Sequence, residues 1–374
     1  MAKRIIISGG GTGGHIFPAV AIADALKKLH PETEILFVGA NGRMEMEKVP
    51  AAGYKIEGLD IAGFQRGSIL KNLSLPFKVL SSVSKAKTII KDFKPDAVVG
   101  VGGYASGPLL YAASTHNLPI LIQEQNSYAG ITNKFLAKKA KRICVAFDGM
   151  EKFFPADRII KTGNPIRRTS VEIEGKRAEA FETFNLNPNK KTILVTGGSL
   201  GAGTLNKCML TRLAELVAAD VQLIWQTGKY YYKGIIEKLG ENVHPNLCVL
   251  EFLNRMDLAY AAADVIISRA GAGTIAELCM VKKAVILVPS PNVAEDHQTK
   301  NALALVNQNA AVLVKDADAE NVLVKTVLNL LKNEPEQQKL SAQIGKLAMP
   351  DADLNIAKEV LKITESKIDA VFTA

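Results

Sequence analysis

The chain has 374 residues, 48% of them apolar, and a formal net charge of +9. That is more than one hydrophobic core accommodates, so two domains are expected; the four cysteines, Cys144, Cys208, Cys248 and Cys279, lie too far apart for a disulfide framework or a structural zinc site and fit a reducing cytosol. The positive charge points to an anionic partner, while 6% aromatics and no basic stretch interleaved with aromatics argue against nucleic acid.

Three isoleucines precede the first glycines, far short of a signal-peptide apolar region, so export is not expected. No apolar run reaches the roughly 18 residues of a membrane-spanning helix, which leaves a soluble or peripheral protein. Along the chain, "RIIIS", a helical pattern over 15–29, "EILFVG", "DAVVGVGG" and "LPILIQEQN" alternate buried strands with amphipathic stretches. The scheme restarts at "KTILVTGGSLGAGTLN" (191–206) and continues through "VQLIWQTG", "NLCVLEF", "ADVIISRAGAGTIAEL" and "KAVILVPSP". This rhythm predicts an α/β fold of two doubly wound parallel-sheet domains, hinged near 163–168, with ligand at the carboxyl ends of the strands in the cleft they face.

The first loop, "SGGGTGGH", satisfies G-x-G-x-x-G at Gly9, Gly11 and Gly14. The second strand nevertheless ends in Gly39, Ala40 and Asn41 without the acidic residue that holds a dinucleotide ribose, and Gly14 is followed by His15 rather than by Lys-Ser/Thr, so neither the dinucleotide nor the triphosphate reading holds. What remains is an amide-rich turn facing phosphate or a developing oxyanion, or a tight turn with no ligand. His15, in the first helical turn, is a candidate neutral base or a loop-tying side chain. Asn126 in "QEQNSYAGITNK" can donate and accept toward a sugar or peptide, or simply make a turn.

In the second half Ser199 in "TGGSLGAG" stands where a hydroxyl receives phosphate at a helix start, and Arg167 in "GNPIRR" can fork onto it. Glu277 in "SRAGAGTIAEL" is placed to accept two ribose hydroxyls or to complement its helix dipole. His297 and Gln298 in "EDHQTKNA" belong to the same strand ends. "DAD" at 316–318 and at 351–353 precedes helical patterns and reads as N-caps, not metal ligands.

Seven segments in order, "GGGTGGHIFPAVAIADAL", "GVGGYASGP", "QEQNSYAGITNK", "GNPIR", "GGSLGAGTLN", "SRAGAGTIAEL" and "EDHQTKNA", resemble the MurG family of peptidoglycan glycosyltransferases. The resemblance implies a GT-B architecture of two Rossmann-like domains: residues 1–163 on the acceptor and membrane side, with a C-terminal helix at about 350–374 packing back on them, and residues 164–349 binding the UDP-sugar. It implies inverting transfer of N-acetylglucosamine from UDP-N-acetylglucosamine to the muramyl 4-hydroxyl of lipid I, at the cytoplasmic face of the membrane, with no cofactor and no metal. By likeness, Leu253 lies beside the uracil, Glu277 on the ribose, Ser199 and Arg167 on the diphosphate, with Ala272, Gly273 and Thr274 along the same loop and Gln298 at the sugar. Thr12, Gly13, Gly14 and Asn126 complete the donor site, with His15 as general base. Where some family members carry a Gln pair near the sugar, this chain has His297 before Gln298.

The stretch 63–87 mixes Ile69, Leu70, Leu73, Leu75, Phe77 and Val79 with Arg66, Lys71, Lys78, Lys85 and Lys87, which suits either an anionic membrane surface or an ordinary packed helix with a basic face. Rival readings are another GT-B protein such as a non-hydrolysing UDP-N-acetylglucosamine epimerase, a nicotinamide-dependent oxidoreductase, and a non-catalytic binding module.

Overall fold

The computed structural model describes residues 2–61, 63, 75–198, 200–240 and 243–372. The chain divides into two compact units, residues 1–166 with 351–374, and residues 167–350.

In the first unit the chain runs β1 (Arg4–Gly9), α1 (Gly13–Leu29), β2 (Glu34–Ala40), α2 (Glu45–Ala51), β3 (Lys55–Leu59), α3 (Leu75–Phe93), β4 (Ala97–Gly102), α4 (Ser106–Thr115), β5 (Ile120–Glu124), α5 (Ile131–Leu136), β6 (Arg142–Val145) and β7 (Ile159–Lys161). All strands pair in parallel, in the order β3-β2-β1-β4-β5-β6-β7. Covered on both faces, β1 and β4 are nearly continuous apolar runs whose residues are almost all buried.

The second unit runs α6 (Arg177–Thr183), β8 (Thr192–Thr196), α7 (Gly203–Thr211), α8 (Leu213–Ala218), β9 (Gln222–Gln226), α9 (Tyr232–Leu239), β10 (Leu247–Leu250), α10 (Met256–Ala262), β11 (Val265–Ser268), α11 (Ala272–Val281), β12 (Ala284–Leu287), α12 (His297–Val306), β13 (Val312–Leu313), α13 (Ala319–Lys332) and α14 (Glu334–Gly345). Its parallel order is β10-β9-β8-β11-β12-β13. Trp225, fully buried in this core, donates its indole N–H to Asn206 Oδ1 at 2.9 Å, which satisfies its one polar atom.

The last helix, α15 (Ala352–Phe372), belongs to the first unit. Its Ile356, Ala357, Val360 and Ile363 share a core with Ile5, Ile7 and the face of α1 formed by Ile16, Ala19, Ile22, Ala23 and Leu26. Those α1 positions follow the three-and-four spacing that puts apolar side chains on one stripe. At the other end of the unit, Asn164 receives Gln123 Nε2 at 3.0 Å and donates Nδ2 to the Gln125 carbonyl at 2.9 Å, which fastens the stretch before the division to β5.

Strand order reverses beside β1 in the first sheet and beside β8 in the second. Loops after β1 and β4 therefore diverge around one crevice, and loops after β8 and β11 around another, which is where open α/β sheets take ligands.

Candidate active site

In the first unit the crevice is glycine against glycine. Gly10 N–H donates to the Gly102 carbonyl at 3.3 Å, and a Cβ on Gly103 would stand 2.3 Å from the Gly10 carbonyl oxygen. Gly102 and Gly103 both hold positive φ, +103 and +93. Only glycine fits such a contact, because a side chain there meets both strain and backbone. Ser106 holds the arrangement from α4, its hydroxyl lying 2.9 Å from the Gly102 carbonyl oxygen and 3.1 Å from that of Ser8, either of which can take its one proton.

His15 sits in the first turn of α1, half-buried, with its ring against Gly102. Its Nδ1 lies 3.0 Å from the Gly10 carbonyl oxygen and 3.5 Å from Thr12 Oγ1. A carbonyl only accepts, so Nδ1 carries the proton; in the neutral ring Nε2 then holds a lone pair, the form a general base requires. Thr12 is the N-cap residue of α1 by its extended backbone, but its hydroxyl makes no capping bond. Gly13 and Gly14 form the first turn, where helix amides lack a carbonyl four residues back.

The glycine loop is less open than its motif implies. Glu45, 1% exposed, accepts the Gly11 amide at 2.9 Å and the Ala40 amide at 3.0 Å, so the second glycine of G-x-G-x-x-G already faces an internal carboxylate. The acid missing from the end of β2 is thus supplied five residues later, turned toward the loop rather than toward a ribose. Sequence reading passed Glu45 over because an acid at a helix start is ordinary. Asn126 follows β5; its backbone N–H and Nδ2 donate to Glu124 Oε1 at 3.1 and 3.4 Å, while Glu124 Oε2 accepts Gly130 N–H and Asn133 Nδ2, both at 2.9 Å. Glu124 is therefore the organiser of that loop.

In the second unit the loop after β11 leads into α11, whose first turn is Ala272, Gly273 and Thr274. One turn on, Glu277 Oε2 accepts the hydroxyl of the fully buried Tyr260 at 3.0 Å. Burial pushes the Glu277 pKa up, offset in part by the Tyr260 hydrogen bond and by the charge of Arg167. Gln298, in the first turn of α12, accepts the amides of Ser290 at 2.9 Å and Ala270 at 3.2 Å through Oε1, so its NH2 group is the end left to address a ligand. Just before it, Glu295 and Asp296 have φ of +55 and +52, consecutive left-handed residues of the strained kind that gathers at functional loops. His297 is the first residue of the same helix, and Leu253 is buried at 5% exposure in the loop after β10. Ser199 lies outside the described residues.

The roles of Arg269 and Asp316 also escaped the sequence reading. Arg269 donates to the carbonyls of Val288 at 2.9 Å and Pro289 at 3.2 Å and pairs closely with Asp316. Asp316 also accepts Thr204 Oγ1 at 3.0 Å. Of the 316–318 acids, Asp318 stands at the N-cap position of α13 but its side chain makes no capping bond, while Asp316 serves as counter-ion to the half-buried Arg269.

Against known proteins, the glycosyltransferase family 28 N-terminal domain matches residues 5–145 and the family 28 C-terminal domain residues 192–356. Fold and site thus define the class as a two-domain glycosyltransferase. A UDP-N-acetylglucosamine--N-acetylmuramyl-(pentapeptide) pyrophosphoryl-undecaprenol N-acetylglucosamine transferase of Bacteroides fragilis is 57% identical over 97% of this chain and 96% of its own, and one from Phocaeicola vulgatus is 58% identical over the same shares. The crystal structure of Acinetobacter baumannii MurG matches with a TM-score of 0.78 at 30% identity, over 96% of this chain and 99% of that one. A Neisseria meningitidis UDP-GlcNAc 2-epimerase, 16% identical over 97% of this chain and 100% of its own with a TM-score of 0.67, shares the fold alone. The chain belongs to glycosyltransferase family 28, in its group of MurG transferases.

Proposed function

We propose that this protein is the inverting glycosyltransferase that moves N-acetylglucosamine from UDP-N-acetylglucosamine to the muramyl 4-hydroxyl of undecaprenyl-pyrophosphoryl-N-acetylmuramyl-pentapeptide, converting lipid I to lipid II. The observation that carries the reading is identity of 57% to transferases of that name over 97% of the chain. The geometry supports it: an imidazole whose Nδ1 is held by a backbone carbonyl, so that the neutral ring carries its lone pair on Nε2, and a separate helix start with the Glu277 carboxylate one turn on.

In this mechanism the 167–350 unit takes the donor. Glu277 accepts the ribose hydroxyls, Leu253 lies beside the uracil, and Arg167 and Ser199 meet the diphosphate along the Ala272, Gly273 and Thr274 turn. Gln298 donates its amide N–H to the sugar. Thr12, Gly13, Gly14 and Asn126 supply the remaining donor contacts. His15 Nε2 removes the proton of the acceptor hydroxyl as its oxygen attacks the anomeric carbon opposite the departing UDP, which inverts that centre. The charge growing on UDP is met by helix-start amides and Arg167.

The acceptor's lipid calls for a peripheral site on an anionic membrane. No described helix is long and apolar enough to cross a membrane. Instead α3 exposes Phe77 at 75% and Leu80 at 68% beside Lys78, and α5, which packs on the same core, exposes Ile131 and Phe135 one turn apart. Farther along α3 a cavity of about 460 Å³ is lined by Lys87, Lys91, Lys94 and His116, suited to anionic headgroups. Of the basic-apolar stretch anticipated at 63–87, residues 64–74 lie outside the described residues.

The test is a product assay with labelled UDP-N-acetylglucosamine and a lipid I analogue. The proposal expects UDP and a disaccharide lipid only when acceptor is present. Epimerised donor formed without acceptor would instead favour the epimerase reading.

A further inference from the structure

One peptide unit joins the two least expected features of the first unit. The carbonyl of Gly10 accepts His15 Nδ1–H at 3.0 Å, and the N–H of the same peptide, on Gly11, donates to Glu45 Oε2 at 2.9 Å. A trans peptide points its C=O and N–H in opposite directions, so carboxylate, peptide and imidazole form one chain of hydrogen bonds. Such chains polarise each member, and the carboxylate end makes the carbonyl a better acceptor. The peptide is also flanked by glycine on both sides, with Gly11 at φ +83, and so has little steric resistance to flipping. A flip would turn N–H toward His15, make Nδ1 the acceptor and move the proton to Nε2, the nitrogen that must be bare.

Glu45 is well placed to prevent this. It is the first residue of α2, yet its side chain leaves that helix start and fills the space behind the loop. A Cβ on Gly10 would lie 2.2 Å from its Oε1, and one on Gly39 2.6 Å from its Cγ. Its second oxygen is pinned by the Ala40 amide at 3.0 Å, so the carboxylate cannot swing away without stranding a buried donor.

We propose that Glu45 is a positioning residue that fixes the His15 tautomer through the Gly10–Gly11 peptide, a carboxylate–histidine pair relayed by backbone. The same carboxylate fills the anion position of this glycine loop, which leaves nucleotide phosphate to the other unit. The catalytic consequence rests on the reading of His15 as base.

The experiment uses the full chain with 15N-labelled histidine. There are five histidines, and the His15 resonances are assigned by their loss in His15→Ala. The parent should show a protonated Nδ1 and bare Nε2 at neutral pH. In Glu45→Gln, which can accept only one of the two amides, and in the shorter Glu45→Asp, the Nε2–H form should grow. Turnover should fall on the order of 10- to 100-fold, part of the 10²–10⁴ that a positioned base supplies, with the KM for UDP-N-acetylglucosamine within about twofold. A parent-like amide spectrum shows that the unit carrying Glu45 is folded in each variant, and retained UDP binding shows the same of the 167–350 unit. An unchanged tautomer in both variants overturns the proposal. A shifted tautomer with unchanged turnover upholds Glu45's control of the ring and removes the base reading of His15 instead.

Discussion

At the scale of single residues, the site is governed by which polar atoms are already engaged. Tyr260 holds one oxygen of Glu277, and burial raises the Glu277 pKa. In the proposed donor site the ribose hydroxyls need the ionised carboxylate as acceptor, so donor affinity should decline as pH falls toward this raised value, at a higher pH than an ordinary glutamate would require. The stability effect has the opposite sign: the folded state binds this proton more tightly than the unfolded chain, so the group favours folding at low pH and loses that contribution as pH rises through its folded pKa. Glu277→Gln should weaken UDP binding at pH 8 by roughly 10- to 100-fold, about 1.5–3 kcal/mol, and flatten its pH dependence; calorimetric titration between pH 5 and 8 checks both. The sequence singles out Glu277 because it follows a glycine-rich helix start. Glu45 and Asp316 were not, since an acid near a helix start looks the same whether it caps, complements a dipole, or reaches across to a loop or an arginine.

At the scale of elements, the loops after β1 and β4 work as a pair. A Cβ on Gly102 would stand 2.7 and 2.8 Å from His15 Cδ2 and Nε2, at a φ of +103. Gly102→Ala should cost about 1–3 kcal/mol of stability and depress turnover while UDP affinity holds, measured by denaturant unfolding and steady-state kinetics. The start of α10 carries a different load. Asp257, 6% exposed, accepts from Arg255 at 2.8 and 3.0 Å and from Lys176 at 2.9 Å, and these partners hold its pKa well below the usual carboxylate range. A lowered carboxyl pKa contributes stability above its unfolded value and loses it as pH falls toward the folded one. Asp257→Asn should therefore destabilise the 167–350 unit by about 1–3 kcal/mol at pH 7, with the gap narrowing below about pH 4 in urea titrations. On α3, changing the exposed Phe77 and Leu80 to Ser should reduce binding to anionic vesicles tenfold or more without altering UDP binding; equal vesicle binding would remove this helix from the membrane reading.

At the scale of the whole chain, two similar sheets carry unlike sites. Period and apolar runs revealed both parallel sheets, because strands buried on both faces have few alternatives. The motif G-x-G-x-x-G revealed that a loop approaches something closely; it could not reveal that the something is partly Glu45 and the Gly102–Gly103 backbone, since those contacts join segments far apart in sequence. In the second unit the same kind of close approach recurs, with Gly201 and Gly228 stacked so that a Cβ on Gly201 would be 2.0 Å from the Thr227 carbonyl oxygen. Pattern alone could not separate a loop proposed to take phosphate from one proposed to present a base; the side chains behind each loop bear on that.

The central claim is that His15 Nε2 deprotonates the acceptor. Its most direct test is turnover of His15→Ala with the lipid I analogue, with UDP affinity measured on the same preparation. The account predicts a fall in kcat of about 10²–10⁴-fold with donor affinity within twofold of the parent. Near-normal turnover of that variant would contradict it.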